Sequence, residues 1–533
     1  MRVVNADEMR KIDSQAIEEF GFTEGLIIEN VGVRGADFIE DTYLKDGPYG
    51  EIVFLVGNGN NGADGVAIAR HLKNRGNSVR IFLLFPDSDG SPGLVKQAKL
   101  AHKYGVKVTE LSSHDQLAGY FTETQEHYLV IDAIIGVGFR VPLSDYLFDI
   151  INTTNTYADE LVAIDIATGI TADSGSLSGT AIQADYTLAV GLPKTGHYIG
   201  DGAKHSGEIA VIDAGFPSAL LEGGDKALLT PEGVSSIFQS RNKFAHKNNF
   251  GHAMVVGGSE GLCGALIMAS NACLRVGTGL VTAATWAENY EQLVPRIRPE
   301  IMTGLIPTER AEVSDIIKEL EVWDTIVIGP GMGRSTKTRD TVVELLNNFA
   351  GPVVVDADAI KVLSLKEDAE LLKSRKGPTV FTPHIGEFAS FVGVKVSEVL
   401  ERPIEYLKEV VDTLSCCVVL KGSSTYLGFP NGEVFINHYP NDGMASGGTG
   451  DVLAGILGGL LAQNAGDFRK DIKKSGLFAD KSRLFEAICL GVMAHTLSGK
   501  FAADSLGVRA MTAGSIIDFL PNAFNELNQT TSR

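Results

Sequence analysis

Asp451 stands where a glycine-rich turn leads into an apolar segment, and this arrangement suits phosphate chemistry. Gly447, Gly448 and Gly450 precede it in the run NDGMASGGTGD, and the apolar stretch 452–461 follows. Glycine lets the backbone approach a ligand closely, and the free N–H groups at a helix start attract an anion. Asp451 then has the position of a general base. A tight turn capped by aspartate is the alternative, but the length of the glycine run favours a ligand site.

A second polar cluster follows an apolar run upstream of Asp451. The run LKGSSTYLG, residues 420–428, offers Lys421, Gly422, Ser423, Ser424 and Thr425 as partners for phosphate or ribose. By itself the run is equally typical of a polar β-turn. No Walker A loop occurs, so a nucleotide must be bound by another device. Together the two runs supply a donor site, an anion pocket and a base, which are the elements of phosphoryl transfer.

The first half of the chain has its own glycine loop. In VGNGNNGADG, Gly57, Gly59 and Gly62 follow a strand-like run with the spacing of a dinucleotide fingerprint. Asp87, after the next apolar run, adds the ribose partner of a nicotinamide dehydrogenase, which is the competing interpretation. The three asparagines in the loop favour a different ligand contact, because a dehydrogenase fingerprint does not require their amide groups.

Two aspartates follow later apolar runs. Asp132 lies in VIDAIIGVGF and Asp165 in AIDIATG, both at predicted carboxyl ends of strands, where open α/β sheets bind ligands. Oxygens from Asn61, Asp132 and Thr168 suit a hard cation, and Asp165 could transfer a proton. Helix capping explains either aspartate taken singly. Their common placement with the glycine loop favours a site.

The elements that must hold these residues alternate between apolar strands and helix-like segments, such as residues 66–73. This rhythm predicts a parallel α/β sheet, and it restarts after a short connector at residues 222–225. We therefore expect two domains, residues 1–224 and 225–533. The 533-residue length also exceeds the size at which one core stops growing.

Composition narrows the class of protein. Hydrophobic residues make up 44% and charged residues 21% of the chain, as in ordinary globular proteins. The formal net charge of -20 argues against nucleic-acid or anionic-membrane partners. The charged N-terminus does not resemble a secretory signal, and no apolar run is long enough to span a bilayer, so a cytoplasmic location is expected. Five cysteines without metal-ligand spacing are expected to be reduced and buried.

The first half resembles the NAD(P)H-hydrate epimerase family, the YjeF N-terminal domain. NNGADG, DAIIGVGFRVP and DIATG carry the resemblance. It implies a Rossmann-like three-layer αβα sandwich in which Asn61, Asp132 and Thr168 bind potassium and Asp165 acts on the substrate. The family has serine where this chain has Thr168. Lys194 is a further candidate for proton transfer, although a solvated lysine is the usual expectation for a lone one. The implied substrate-binding residues are Asn60, Asn61, Gly62, Ala63, Asp64, Gly136, Val137, Gly138, Phe139, Arg140, Val141, Pro142 and Asp165.

The second half resembles the ribokinase-like superfamily and, within it, the NAD(P)H-hydrate dehydratase family. The motifs AHKNNFGHAMVVGGS, IGPGMG, VVDADA, TPHIGE, LKGSSTYLG and NDGMASGGTGD occur in that family's order. The resemblance implies that Asp451 deprotonates the substrate hydroxyl. It also implies substrate contacts from Ala265, Gly331, His384 and Asp451, and nucleotide contacts from Lys421, Gly422, Ser423, Ser424, Thr425 and Gly450. By itself, His384 is as typical of a packed histidine.

The two resemblances together imply one bifunctional repair enzyme. The first domain would epimerise hydrated NADH and NADPH (NADHX and NADPHX), and the second would dehydrate the S epimer with ADP or ATP and Mg²⁺. Family precedent favours ADP, and a homo-oligomer is expected. Two alternatives stay open at this point. The second half could be a vitamin or sugar kinase fused to a nucleotide-binding module, or the first half could bind nucleotides without catalysis.

Overall fold

The computed structural model describes residues 1–45, 47, 49–85, 90–124, 127–237, 241–306, 322–475 and 483–530. It divides into two compact units. The first unit is Arg2–Lys226, and the second combines Met1 with Ala227–Arg533. Each unit is built around a largely parallel sheet, so the predicted α/β class is confirmed.

The sheet of the first unit has seven strands in the order β3-β2-β1-β4-β5-β6-β7, all parallel to their neighbours. Strand order therefore reverses between β1 and β4, as in doubly wound nucleotide-binding folds. The strands are β1 Ile52–Val56, β2 Val79–Leu84, β3 Lys107–Leu111, β4 Leu129–Ala133, β5 Glu160–Ile164, β6 Tyr186–Val190 and β7 Glu208–Ile212.

Helices cover both faces of this sheet. They are α1 Ala6–Glu18, α2 Glu24–Ile39, α3 Asn60–Asn74, α4 Pro92–Lys103, α5 His114–Thr124, α6 Asp145–Tyr157, α7 Gly202–His205 and α8 Ser218–Leu221. Successive residues of β1 point to opposite faces. Phe54 and Val56 join a core with residues of α2 and α3, whereas Val53 and Leu55 join a core with residues of α5 and α6. The predicted three-layer αβα sandwich is thereby confirmed.

The sheet of the second unit has ten strands in the order β11-β10-β9-β12-β13-β14-β15-β16-β17-β8. Strands β9 to β15 are parallel, and β15, β16 and β17 form antiparallel pairs. The strands are β8 Lys226–Leu228, β9 His252–Val256, β10 Leu280–Trp286, β11 Met302–Ile306, β12 Thr325–Ile328, β13 Val353–Val355, β14 Thr379–Phe381, β15 Cys417–Leu420, β16 Thr425–Gly428 and β17 Val434–Asn437.

A helical layer lies on each face of the second sheet. Ala253 and Val255 of β9 share a core with residues of α10, α18, α19 and α20, and on the other face α17 packs against β15 and β16. The helices are α9 Pro231–Ser235, α10 Cys263–Arg275, α11 Tyr290–Leu293, α12 Thr336–Asn348, α13 Ala357–Lys361, α14 Leu365–Lys373, α15 Ile385–Val392, α16 Val396–Glu401, α17 Pro403–Leu414, α18 Thr449–Ser475, α19 Arg483–Leu506 and α20 Ala513–Thr530.

All five cysteines, Cys263, Cys273, Cys416, Cys417 and Cys489, are buried and free, as predicted. Burial raises the pKa of the Cys273 and Cys416 thiols to about 12. Among the described helices, none is both long enough and apolar enough to cross a bilayer.

Candidate active sites

In the first unit, the glycine loop lies where strand order reverses. Helix α3 begins at Asn60, earlier than the predicted start at Val66, with Gly59 as its N-terminal cap. A Cβ on Gly57 would collide with the carbonyl oxygen of Ile134, and one on Gly62 with the carbonyl oxygen of Gly57. Gly57 therefore allows the loops after β1 and β4 to pack closely, Gly62 allows the tight turn into α3, and Gly59 has open space around it. Asp87, the residue behind the dehydrogenase interpretation, lies outside the described residues.

The three predicted cation ligands meet beside this loop. Asp132 is fully buried; its carboxylate accepts hydrogen bonds from the Thr168 N–H at 2.8 Å, the Thr168 hydroxyl at 2.8 Å and the Ile134 N–H at 3.1 Å. With its amide oriented to satisfy both groups, Asn61 donates to the Ile164 carbonyl at 3.1 Å and accepts from the Gly136 N–H at 3.3 Å. Burial raises the pKa of Asp132 to about 6.

This donor set offers one carboxylate, from Asp132, and two neutral oxygens, from Asn61 and Thr168. Hydroxyl, amide and carboxylate oxygens are the ligands of hard cations. A cation would also neutralise the Asp132 carboxylate, whose hydrogen-bond donors are all uncharged.

Asp165 and Lys194 form a buried ion pair at the same edge of the sheet. The Lys194 ammonium donates to Asp165 Oδ1 and, at 2.9 Å, to the Val190 carbonyl. Lys194 is 0% exposed, so the expectation of a solvated lysine is wrong. The second carboxylate oxygen of Asp165 accepts from the Val137 N–H at 3.2 Å. Asp165 itself has a φ of 69°, a left-handed conformation that most residues avoid.

Further carboxylates surround this ion pair. Burial raises the pKa of Asp64 well above its ordinary value, and the nearby charges of Asp165 and Asp13 add to the effect. Burial also raises the pKa of Asp13 to about 6, although the Lys194 ammonium opposes this shift. Asp13 and Asp64 therefore retain their protons to higher pH than an exposed aspartate does.

The other residues predicted to bind the substrate are divided between the crevice and the core. A Cβ on Gly136 would lie 2.7 Å from Asp165 Oδ2, so this loop lies against the ion pair. Asn60 hydrogen-bonds to Glu24 at 2.6 Å, whereas Ala63 is fully buried in the core between α2 and α3. Phe139 is half-buried, and the exposed members of the loop are Gly138, Arg140, Val141 and Pro142.

In the second unit, Asp451 lies in the first turn of α18 and is half-buried. Burial raises the pKa of its carboxyl to about 7, and the charges of Asp356, Asp358 and Glu387 add to this, while Lys421 opposes it. The helix start supplies unpaired N–H groups next to the carboxylate. The predicted helix start at the glycine turn is therefore observed, and the carboxylate has the pKa of a base that works near neutral pH.

A cavity of about 180 Å³ adjoins this helix start. Five of the predicted nucleotide-binding residues line it: Lys421, Gly422, Ser423, Thr425 and Gly450. Ser424, the sixth, is buried, and its hydroxyl is 2.8 Å from His438 Nδ1. Its side chain is therefore turned into the protein, and only its backbone remains available to a ligand in this arrangement.

Lys421 connects this cavity to the strand ends behind it. Its ammonium donates to Asp356 Oδ1 at 2.9 Å, and the Thr382 hydroxyl donates to the same oxygen at 2.7 Å. A Cβ on Gly450 would lie 3.0 Å from Lys421 Nζ, so the ammonium sits directly against the glycine turn. A phosphate at the start of α18 would therefore meet both backbone N–H groups and a positive charge.

The residues predicted to bind the hydrate lie around the neighbouring strand ends. A Cβ on Gly331 would lie 3.1 Å from the Ala265 side chain, so these two residues are adjacent. His384 caps α15: its Nδ1 accepts from the N–H groups of Gly386 at 3.0 Å and Glu387 at 3.2 Å. Its Nε2 lies 3.3 Å from Glu387 Oε1. Both ring nitrogens are thus engaged, and the ring face is left for contact with a ligand.

Comparison with known proteins identifies the family. Residues 25–196 match the model described as YjeF-related protein N-terminus, and residues 253–522 match the model described as NAD(P)H-hydrate dehydratase. The bifunctional NAD(P)H-hydrate repair enzyme of Moorella thermoacetica is 34% identical over 99% of this chain and 98% of its own. The chain belongs to the bifunctional NAD(P)H-hydrate repair enzymes. The member of this family from Escherichia coli is 29% identical over 98% of the chain and 93% of its own.

Among solved structures, the ADP/ATP-dependent NAD(P)H-hydrate dehydratase from Bacillus subtilis, co-crystallised with ATP and Mg²⁺, is 27% identical. The match covers 56% of this chain and 98% of the other, with a TM-score of 0.47.

Two residues of the candidate sites, Asp13 and His495, had no clear signal in the sequence, whereas Lys194 was a candidate beside the expectation of a solvated lysine. Asp13 belongs to a charged helix that looks like a solvated surface element. His495 lines the cavity beside α18, its Nε2–H donates to the Thr449 carbonyl at 3.0 Å, and burial lowers its pKa to about 4. A neutral histidine next to the start of α18 therefore orients the helix without adding charge.

Proposed function

We propose that this chain repairs hydrated NADH and NADPH in two steps, one in each unit. Residues 1–224 interconvert the R and S epimers, and residues 225–533 dehydrate the S epimer with a nucleotide as phosphoryl donor. The observation that carries the proposal is the half-buried Asp451 carboxylate, with a pKa raised to about 7, beside a cavity lined by Lys421 and the glycine turn. Membership of the repair enzyme family supports the choice of substrate.

Dehydration needs a better leaving group than hydroxide. Asp451 removes the proton of the C6 hydroxyl, and the oxygen attacks the terminal phosphorus of the nucleotide held at the start of α18. With ADP, the bond to the bridging oxygen breaks and AMP leaves. The ring nitrogen then expels the C6 phosphate, and loss of a C5 proton restores the dihydronicotinamide. Lys421 and the helix N–H groups stabilise the negative charge on the phosphoryl oxygens.

Epimerisation needs reversible loss of the same hydroxyl. The ring nitrogen expels it as water once a proton is supplied, and water returns to either face of the planar C6 centre. Asp165 lies at the crevice with one oxygen bonded to Lys194 and the other to the Val137 N–H. A proton from the neighbouring Asp64 or Asp13 carboxyl passes through Asp165 to the departing hydroxyl, and it returns by the same route when water adds.

The proposal includes two cations and the donor. A potassium ion at Asn61, Asp132 and Thr168 would fix the loops that carry Gly136 and Asp165. Mg²⁺ enters as part of the nucleotide substrate, where it shields the phosphate charges. ADP is the proposed donor, NADHX and NADPHX are the proposed substrates, and a cytoplasmic homo-oligomer remains the prediction from the sequence.

An assay of purified protein on mixed hydrate epimers, with and without ADP, tests both halves together. Asp451→Asn should abolish nucleotide-dependent dehydration and leave epimer exchange intact. Asp165→Asn should do the reverse, and asparagine is the preferred replacement because it tolerates the left-handed backbone at this position. Retained dehydration in Asp451→Asn would remove that residue from the role of base. A stable phosphorylated product would favour a ribokinase-type kinase instead.

A further inference from the structure

Asp356 has no role in the proposed reaction, yet it is bonded to a residue that does. It directly follows β13 and is 1% exposed. Its N–H donates to the Ile328 carbonyl at 3.0 Å, which continues the pairing of β13 with β12. The Thr382 hydroxyl donates to Asp356 Oδ1 at 2.7 Å. The carboxylate is therefore held in one orientation, with the Lys421 ammonium at 2.9 Å from the same oxygen.

Lys421 is held at both of its ends. Its backbone N–H donates to the Pro383 carbonyl at 2.8 Å, which joins the end of β15 to the loop after β14. Its ammonium lies against Gly450, the residue that precedes Asp451. A lysine side chain has four rotatable bonds and loses substantial conformational entropy when it is held in one position. The ion pair with Asp356 fixes the side chain before any nucleotide binds, so this entropy is not lost on binding.

We propose that Asp356 is a positioning residue that holds the Lys421 ammonium at the glycine turn, ready for the terminal phosphate of the nucleotide. The inference rests on the proposed phosphoryl transfer at Asp451. It adds that the anion pocket is assembled from the strand ends behind it, and that the negative charge of Asp356 is part of the site's electrostatic balance.

That balance gives the proposal a distinctive consequence. The charged groups that face Asp451 are Asp356 and Asp358 after β13, Glu387 on α15 and Lys421 after β15. Each of the three carboxylates lies near a cation: Asp356 pairs with Lys421 at 2.9 Å, Glu387 pairs with Lys361 at 3.0 Å, and Asp358 lies 3.4 Å from Arg334 and 3.5 Å from Lys361. Asp356 is first among the charges that raise the pKa of Asp451, and Lys421 lowers it.

The test compares dehydration by the wild-type chain, Asp356→Asn, Asp356→Glu and Lys421→Met between pH 5.5 and 8.5. The acid limb is the pH range over which the dehydration rate falls as the pH is lowered. In Asp356→Asn its midpoint should decrease by roughly one pH unit, because a negative charge that raises the pKa of Asp451 is lost while Lys421 remains. In Lys421→Met the midpoint of the acid limb should move to higher pH, because the positive charge that lowers the pKa of Asp451 is lost. Asp356→Asn should also raise the KM for ADP about tenfold, the equivalent of one charge-assisted hydrogen bond.

Asp356→Glu and Asp358→Asn are the matched controls. The glutamate keeps the charge on a longer arm, so the acid limb should stay in place while the KM for ADP rises. Asp358→Asn removes a carboxylate that does not bind Lys421. The midpoint of the acid limb should therefore move to slightly lower pH, and the KM for ADP should not change. Circular dichroism and thermal unfolding of the same samples report whether the second unit, which carries these substitutions, is folded. If Asp356→Asn does not fold, Asp356→Glu still tests the positioning of the ammonium.

Two results would overturn the proposal. One is an Asp356→Asn variant in which both the acid limb and the KM for ADP are the same as in the wild-type chain. The other is a higher Mg²⁺ requirement in that variant without movement of the limb, which would make Asp356 a metal ligand. Failure of the proposed function would be recognised by a different result: Asp451→Asn would retain dehydration, regardless of the outcome for the Asp356 variants.

Discussion

The raised pKa of Asp451 predicts an unusual pH dependence for nucleotide-dependent dehydration. A base must be ionised to accept a proton, and burial together with three nearby carboxylates raises the pKa of this one from 3.8 to about 7. With this pKa the ionised fraction is roughly one half at pH 7 and about a tenth at pH 6, and it falls about tenfold with each further pH unit. An aspartate with its ordinary pKa would be fully ionised throughout this range.

The assay follows the return of reduced nicotinamide absorbance from the hydrate at saturating ADP. We expect kcat/KM for the hydrate to reach half its maximum near pH 7 and to fall about fivefold between pH 7 and pH 6. A reaction without enzyme corrects for the acid instability of the hydrate, and circular dichroism at each pH shows that both units stay folded. A rate that is flat from pH 5.5 to 7.5 would refute the assignment of Asp451 as an environmentally tuned base.

Two further predictions concern the first unit. Thr168→Val removes the hydroxyl that donates a hydrogen bond to Asp132, and it should abolish the stimulation of epimerisation by potassium, measured against tetramethylammonium. Thr168→Ser keeps a hydroxyl and should retain the stimulation. Stimulation that survives in the valine variant would contradict the cation site. Lys194→Met leaves the buried Asp165 carboxylate unpaired and should lower stability by about 3–5 kcal/mol in denaturant titrations and abolish epimer exchange. Lys194→Met combined with Asp165→Asn should recover stability but not activity, and recovered activity would exclude Lys194 from the reaction.

Much of both sites could be predicted because parallel strands bring their carboxyl ends to one edge. Asp132 and Asp165 each follow an apolar run, and this pattern alone placed them together with the glycine loop. The same logic placed Lys421 near Gly450, although the two residues lie far apart in the chain. Glycine-rich turns and apolar strands are local signals, so they are readable without knowledge of the packing.

Residues whose role depends on packing could not be predicted in this way. The burial of Lys194 follows from the Val4 bridge and the ion pair with Asp165, neither of which a lone lysine in the sequence reveals. Ser423 and Ser424 are chemically identical, and only the conformation of the turn between β15 and β16 directs one to the cavity and the other to His438.

Strands β3, β16 and β17 lack the sequence pattern that predicts the central parallel strands. Strand β3 is the edge of its sheet and has the sequence KVTEL, in which exposed and half-buried side chains outnumber buried ones. It therefore lacks the apolar run that marks the central strands. Strands β16 and β17 are four residues each and antiparallel, so they fall outside the strand-helix rhythm that predicts parallel pairs.

The burial of every native thiol has a practical consequence for labelling. Alkylating reagents attack the thiolate, and these side chains are both enclosed and held in the neutral form, as Cys273 and Cys416 illustrate with pKa values of about 12. A single cysteine introduced at an exposed position would therefore react alone in the native protein. Fluorophores or spin labels can then be attached at chosen sites for distance measurements without first replacing the original five.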